Sequence, residues 1–265
     1  MSKPNILMFH RINIDGRQEI NSYYFQRNMV HHIDSVFDII DSHLKSGCHF
    51  GSISQCLEDN KCFHLSFDDG FKEHIKVAKL IKEKYVIGYN HISFSINVGN
   101  SIFANYTGMD IVYQLLSFYN PNKLRELLEM DVDFNNVSEI KDKLLRRSPE
   151  TLIKLSVKCD EIKERLRKTF LSKVEIIELS KIFQILSHGM THRSLVYYKN
   201  ESKDEIFQSK IILEKLIGRS INVFCYPEGK NDSDIQRNCI DAGYKYALSI
   251  RHEENNKYCI GRFVS

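Results

Sequence analysis

An α/β fold built on a mostly parallel sheet is predicted by three features of this sequence. Short runs rich in β-branched and aromatic residues alternate with stretches of helical spacing, the order that sets a crossover helix between parallel strands. The 265 residues suffice for one large domain carrying an insertion. A hydrophobic share of 42% and a charged share of 27% are ordinary for a soluble globular chain.

The elements follow in order. Asn5–Phe9 is the first candidate strand. Met29, Ile33, Phe37, Ile40 and Leu44 then recur at helical spacing. Phe63–Phe67 is the second strand and His91–Val98 the third, where Ile92, Phe94, Ile96 and Val98 alternate as a half-buried strand requires. From about residue 110 to 180 the alternation stops. Leu, Glu and Lys dominate there, with Ile162, Leu166 and Phe170 at i, i+4, which reads as a helical insertion within one domain spanning 1–265. Its apolar stripes need cover, so it packs on the domain as scaffold; long insertions also carry specificity, which leaves a substrate-covering lid open. Phe183–Ser187 resumes the strands. Ile206, Leu213, Leu216 and Ile217 mark a helix ending at Gly218, a C-cap glycine. Asn222–Tyr226, Tyr246–Ile250 and a last strand near Tyr258–Val264 complete the set.

Composition excludes several classes. A formal charge of +3, without a dense Lys/Arg block, gives no footprint for nucleic acid or an anionic membrane. No apolar stretch approaches the roughly 18 residues of a membrane helix. The run Ile6–Phe9 is too short for an export-signal core and His10-Arg11 ends it, so a cytoplasmic chain is expected. The seven cysteines are scattered and none forms a C-x-x-C pair, so free thiols are expected and not a zinc ribbon.

Three strand ends carry chemistry. Ser66-Phe67-Asp68-Asp69-Gly70 sets two carboxylates where α/β enzymes place catalytic groups. Neighbouring side chains there point in different directions, so one carboxylate can hold a metal while the other stays a base. Ser187-His188-Gly189-Met190-Thr191-His192 offers two histidines four apart, on one face of a helical turn and close enough to share one ion. Phe224-Cys225-Tyr226-Pro227-Glu228-Gly229 is a strand entering a Pro/Gly turn able to aim a backbone N–H at a ligand. Taken singly, the first and third of these are ordinary turns and the second a pair of surface histidines. Their combination and order carry the signal.

With these three motifs, and the opening Ile6-Leu7-Met8-Phe9-His10-Arg11-Ile12, the chain resembles the polysaccharide deacetylase (NodB-homology, carbohydrate esterase family four) superfamily. The resemblance lies with a divergent branch that has an N-terminal Phe-His strand and a Tyr-Pro-x-Gly third motif. It covers both ends of the chain but not the helical stretch. It implies a distorted (β/α)7-type barrel with one divalent metal ion held by Asp69, His188 and His192. It further implies Asp68 as general base, His10 as general acid, and the Glu228 backbone N–H at an oxyanion position beside Tyr226. Zinc is the first expectation for the ion, and cobalt, nickel, manganese and iron accept the same donors. The better-known branch has an arginine where this chain has Cys225; Arg262, in Ile260-Gly261-Arg262-Phe263, matches a C-terminal arginine common in the Tyr-Pro branch, which the resemblance offers as the source of that charge. The late Asp/Trp and Leu-x-His motifs are absent, and His252 takes no role.

The activity so implied is hydrolysis of an N-acyl group, acetyl or formyl, from an amino sugar or sugar conjugate, as a cytosolic glycan precursor. The alternatives are a non-catalytic sugar-binding relative, an amidase acting on a non-sugar amide, or Fe(II) oxygenase chemistry on the same two-His-one-carboxylate set.

Overall fold

The computed structural model describes residues 4–16, 20–104, 109–119, 121–128, 136, 139, 143 and 160–264. Seven parallel strands form a nearly closed barrel. They are β1 (Ile6–Phe9), β2 (Cys62–Phe67), β3 (Ile92–Ile96), β4 (Gln184–Ser187), β5 (Val223–Cys225), β6 (Tyr246–Ser249) and a split β7 (Ile260–Gly261 and Phe263–Val264). Each pairs with its successor, and the order returns to its start because β7 has two edges. Ile260 pairs with Leu248 of β6, whereas Phe263 pairs with Leu7 of β1. Arg262 stands at the break.

Alternation along the strands sorts the side chains. Leu7, Phe9, Phe63, Leu65, Phe67, Ile92, Phe94, Ile96 and Phe224 join the cluster under the outer helices. The alternate residues Ile6, Cys62, Leu186, Val223, Cys225, Leu248 and Ile260 fill the barrel, plugged by Ile53 and Cys56 of the short helix Ile53–Glu58. On the outer face Phe67 stacks between Phe9 and Phe94, with centroids 5.2 and 4.9 Å away. Such pairs each contribute about 0.5–1.5 kcal/mol beyond area burial.

Several expectations need correction. The His91–Val98 strand is not half-buried: β3 is buried on both faces. Its polar members Ser93 and Ser95 point into the barrel, where His64 and Asp68 hydrogen-bond them. The first helix spans Ile33–Lys45, so Met29 lies outside it. Met29 precedes a small strand, Val30–His32, and its carbonyl accepts from the Arg11 N–H. The thiols are not all free: Cys56 and Cys62 form a disulfide, because the turn between helix and β2 brings their Cα atoms to 4.9 Å, within bridging range. Cys48, Cys225, Cys239 and Cys259 are free.

Gly218 does end the helix Lys199–Ile217 in the left-handed region, at φ 66°. In the stretch 110–180 the described helices are Met109–Phe118, Pro121–Leu128, Asp160–Thr169 and Lys173–Ile182. Ile162, Leu166 and Phe170 are buried. Most of 129–159, with Cys159, lies outside the described residues. Among the described residues, no helix is long and apolar enough to cross a membrane.

Candidate active site

The site residues continue the ladder past the strand ends. Asp68 N–H donates to the Phe9 carbonyl, His188 N–H to Ile96, Tyr226 N–H to Leu248 and Arg262 N–H to Ser249, each at 2.9–3.0 Å. Parallel strands bring their C-terminal ends to one rim, so residues scattered in sequence converge there. His10 follows β1 on the same rim. Together with Tyr226 and Glu228 they line a cleft of about 230 Å3. A larger cavity of about 600 Å3 opens beside Arg11, Lys72 and Gln114 and holds none of these residues; chemistry, not size, selects the smaller one.

Asp68 and Asp69 diverge, as expected, through a left-handed backbone at Asp69, φ 73°. His192 and Glu228 also have positive φ, at 53° and 59°. Such conformations are uncommon for non-glycine residues and cluster at functional sites. The His192 value overturns the expected helical turn. Residues 188–192 form an irregular loop because Gly189, at φ 77°, and His192 both leave the helical region.

Asp69 Oδ1 lies 3.2 Å from His188 Nε2 and 3.0 Å from His192 Nε2, and the three donor atoms fall within 4.8 Å of one another. Oδ1 is buried without a hydrogen-bond partner of its own. The Cys225 carbonyl can only accept, so His188 Nδ1–H donates to it at 2.7 Å. That fixes the tautomer and turns Nε2 toward Asp69, the outer-shell arrangement common for metal-binding imidazoles. Burial lowers the pKa of both histidines, but Cys225 followed by Asp69 outweighs it at His188 and Asp69 does so at His192, and both end above the usual value. A carboxylate oxygen and two imidazole nitrogens converging at 3.0–3.2 Å fit a divalent cation.

Asp68 sits in a different shell. Its Oδ1 accepts from Arg262 Nη1 at 2.8 Å and from Ser95 Oγ at 2.9 Å. The Cys225 thiol lies 3.5 Å from both oxygens. Burial would raise this carboxyl, but the Arg262 guanidinium and His188 hold it well below the usual range. Arg262, 1% exposed, also donates to Ser66 Oγ at 3.1 Å. The charge that Cys225 does not provide therefore enters from β7, across the barrel. Burial lowers the His10 pKa, and the two aspartates oppose that effect. The Tyr226 hydroxyl donates to the Tyr258 carbonyl. That ties the ring down and leaves the Tyr226 backbone turn, not its hydroxyl, toward the cleft. His252 accepts from Gly261 N–H and lies outside the cleft.

Sequence reasoning missed four contributors. Ser95 was legible as the polar half of the β3 alternation. Glu205, buried on the helix Lys199–Ile217, accepts from Met190 N–H and Thr191 N–H at 2.8 and 2.9 Å and from Thr191 Oγ1 at 2.6 Å. Asp110 approaches His192 Nδ1 at 4.0 Å and is held by the Tyr24 hydroxyl and by Asn100 Nδ2. No local pattern marks Glu205, Asp110 or Tyr24, because their partners lie far away in sequence.

The sequence model of the polysaccharide deacetylase family matches residues 58–247. The chain belongs to the polysaccharide deacetylase family. Solved structures of this family share its fold. A polysaccharide deacetylase from Bacillus cereus is 16% identical, with a TM-score of 0.60 over 99% of this chain and 64% of that one. The deacetylase PplD of Streptococcus pyogenes, solved with acetate, is 14% identical, with a TM-score of 0.61 over 99% and 93%. IcaB from Ammonifex degensii is 11% identical, with a TM-score of 0.58 over 100% and 92%. This polysaccharide deacetylase domain thus spans under two thirds of the Bacillus cereus protein. No curated protein matches the chain at a significant level.

Proposed function

We propose that this chain is a metal-dependent hydrolase that removes an N-acyl group, acetyl or formyl, from an amino sugar of a glycan precursor. The observation that carries the reading is the convergence of Asp69, His188 and His192 beside a second carboxylate kept ionised. Asp69, His188 and His192 hold the ion, and zinc fits this nitrogen and oxygen donor set. When bound, the ion supplies Lewis acidity and lowers the pKa of water from about 15.7 toward about 7.

The remaining work falls to the chain. Asp68 Oδ1 is engaged by Arg262 and Ser95, which leaves Oδ2, met only by the weak Cys225 thiol donor at 3.5 Å, to accept the proton of the attacking water. The Glu228 backbone N–H, presented by a left-handed turn, serves the developing oxyanion, a donor worth about 3–4 kcal/mol in comparable sites. His10 delivers a proton to the leaving nitrogen, a step contributing about 10²–10⁴-fold. Its lowered pKa makes the imidazolium a stronger but scarcer acid, so turnover falls on the alkaline side of the His10 titration. A parallel α/β barrel favours this hydrolysis over oxygenase chemistry.

The test combines metal analysis with release of acetate or formate from a panel of N-acylated sugars. Chelation is expected to abolish turnover and a divalent ion to restore it. Asp69→Ala and His188→Ala lose both metal and turnover. Asp68→Asn and His10→Ala keep the metal and lose about 10²–10⁴-fold in rate. Full activity without metal, or in Asp69→Ala, overturns the site.

A further inference from the structure

We infer that Arg27 forms a subsite for an anionic substituent, phosphate or carboxylate, on the acylated sugar; this rests on the deacetylase reading above. Arg27 follows the short helix Ser22–Gln26 and lines the same 230 Å3 cleft as Asp69, His188 and His192. Its Nη1 is buried and, among the described residues, has no hydrogen-bond partner. The rest of the side chain is only half-buried, next to exposed Asn28, so the guanidinium sits in the wall near the mouth.

Of the other charged groups of the cleft, Asp68, Asp69, Asp110 and Arg262 are committed, and the Glu228 carboxylate also lines the wall. Arg262 is bound to Asp68 and Ser66, Asp69 faces the two histidines, and Asp110 is held by Tyr24 and Asn100. Among the described residues Arg27 Nη1 has no such hydrogen bond, and its charge acts only at range on Tyr113. A buried guanidinium N–H without an acceptor is unfavourable, and an arriving oxyanion relieves that cost. The planar fork of arginine matches two oxygens of one phosphate or carboxylate. A cleft of 230 Å3 is below the roughly 300–1,000 Å3 of drug-sized ligand sites. It encloses a compact acylated ring and leaves a charged substituent at the wall, where Arg27 stands.

The experiment compares kcat/KM of metal-loaded enzyme on N-acetylglucosamine, N-acetylglucosamine 1-phosphate and N-acetylmuramic acid. Wild type is expected to prefer one or both anionic sugars, and the arm preferred tells phosphate from carboxylate. Arg27→Gln is expected to cut that preference roughly 10–100-fold, chiefly through KM, and Arg27→Lys to retain part of it as a point charge. Equal efficiency of wild type on all three sugars overturns the subsite alone. So does an Arg27→Gln variant that lowers all three alike, the signature of a purely structural role. Turnover of none overturns the activity. Calorimetric titration with the sugar 1-phosphate and with N-acetylmuramic acid then decides the subsite: equal binding of both by wild type and Arg27→Gln overturns it as well.

Discussion

Asp68 and Asp69 are adjacent yet answer to different partners, and the left-handed backbone at Asp69 itself turns the two side chains apart. Asp69 turns to the histidines; Asp68 turns to Arg262. Removing one member of a buried pair strands the other charge, which typically costs about 3–5 kcal/mol. Arg262→Met is therefore expected to lose that much unfolding free energy in urea titrations and to raise the Asp68 pKa. Unchanged stability would mean that Asp68 finds another partner. At this scale the sequence was informative where chemistry sits in contiguous text. Asp68, Asp69, His188 and His192 stand in motifs, and Arg262 was recoverable as the charge missing at Cys225. Asp110 and Arg27 were not legible, since nothing around either residue says which wall of which cleft it faces.

The loop 188–192 shows what an element contributes. It has no regular hydrogen bonding of its own, so Glu205 substitutes for a ladder by accepting from two of its N–H groups and one hydroxyl. Outer-shell supports of this kind typically carry 10–100-fold in metal affinity. Glu205→Gln is expected to weaken ion binding by about that factor in competition with a chelator, with the fold retained by circular dichroism. Native affinity in the variant would assign the loop's geometry to Gly189 and the flanking strands. The expected helical turn failed here for a physical reason: the i, i+4 spacing of two histidines also fits a loop in which two left-handed residues reverse the chain. In β3, strict alternation was read as one wet face, whereas a barrel interior gives polar residues buried partners.

Across the whole molecule, the barrel interior carries a titrating load. His64 points inward, with Nδ1–H donating to the Gly51 carbonyl at 3.0 Å and Nε2 accepting from Ser93 Oγ at 2.9 Å. Burial lowers its pKa to about 4, against about 6.5 for an unfolded histidine. As pH falls below 6.5 the unfolded chain takes up this proton first. Stability from neutral His64 is thus full above pH 6.5 and is lost on descent toward pH 4, by about 3 kcal/mol. In His64→Asn the stability–pH slope across that window is expected to flatten; an unchanged slope places the acid-sensitive group elsewhere. The seven-strand architecture was legible because each strand is a compact apolar run. The resemblance implied a barrel, but the way it closes was not legible, since the residues near Tyr258–Val264 read as one strand and are two short pieces on two edges.

That split strand also orders events in time. Leu7 pairs with Phe263 across 256 residues of sequence (263 − 7), and closing so long a loop carries a large entropic cost. Until that pair forms, Asp68 has no guanidinium beside it and the rim is open. The strand whose second half seals the barrel also carries the guanidinium that balances Asp68. A chain whose ring is still open therefore also leaves Asp68 without its guanidinium, and ring closure and charge pairing arrive together.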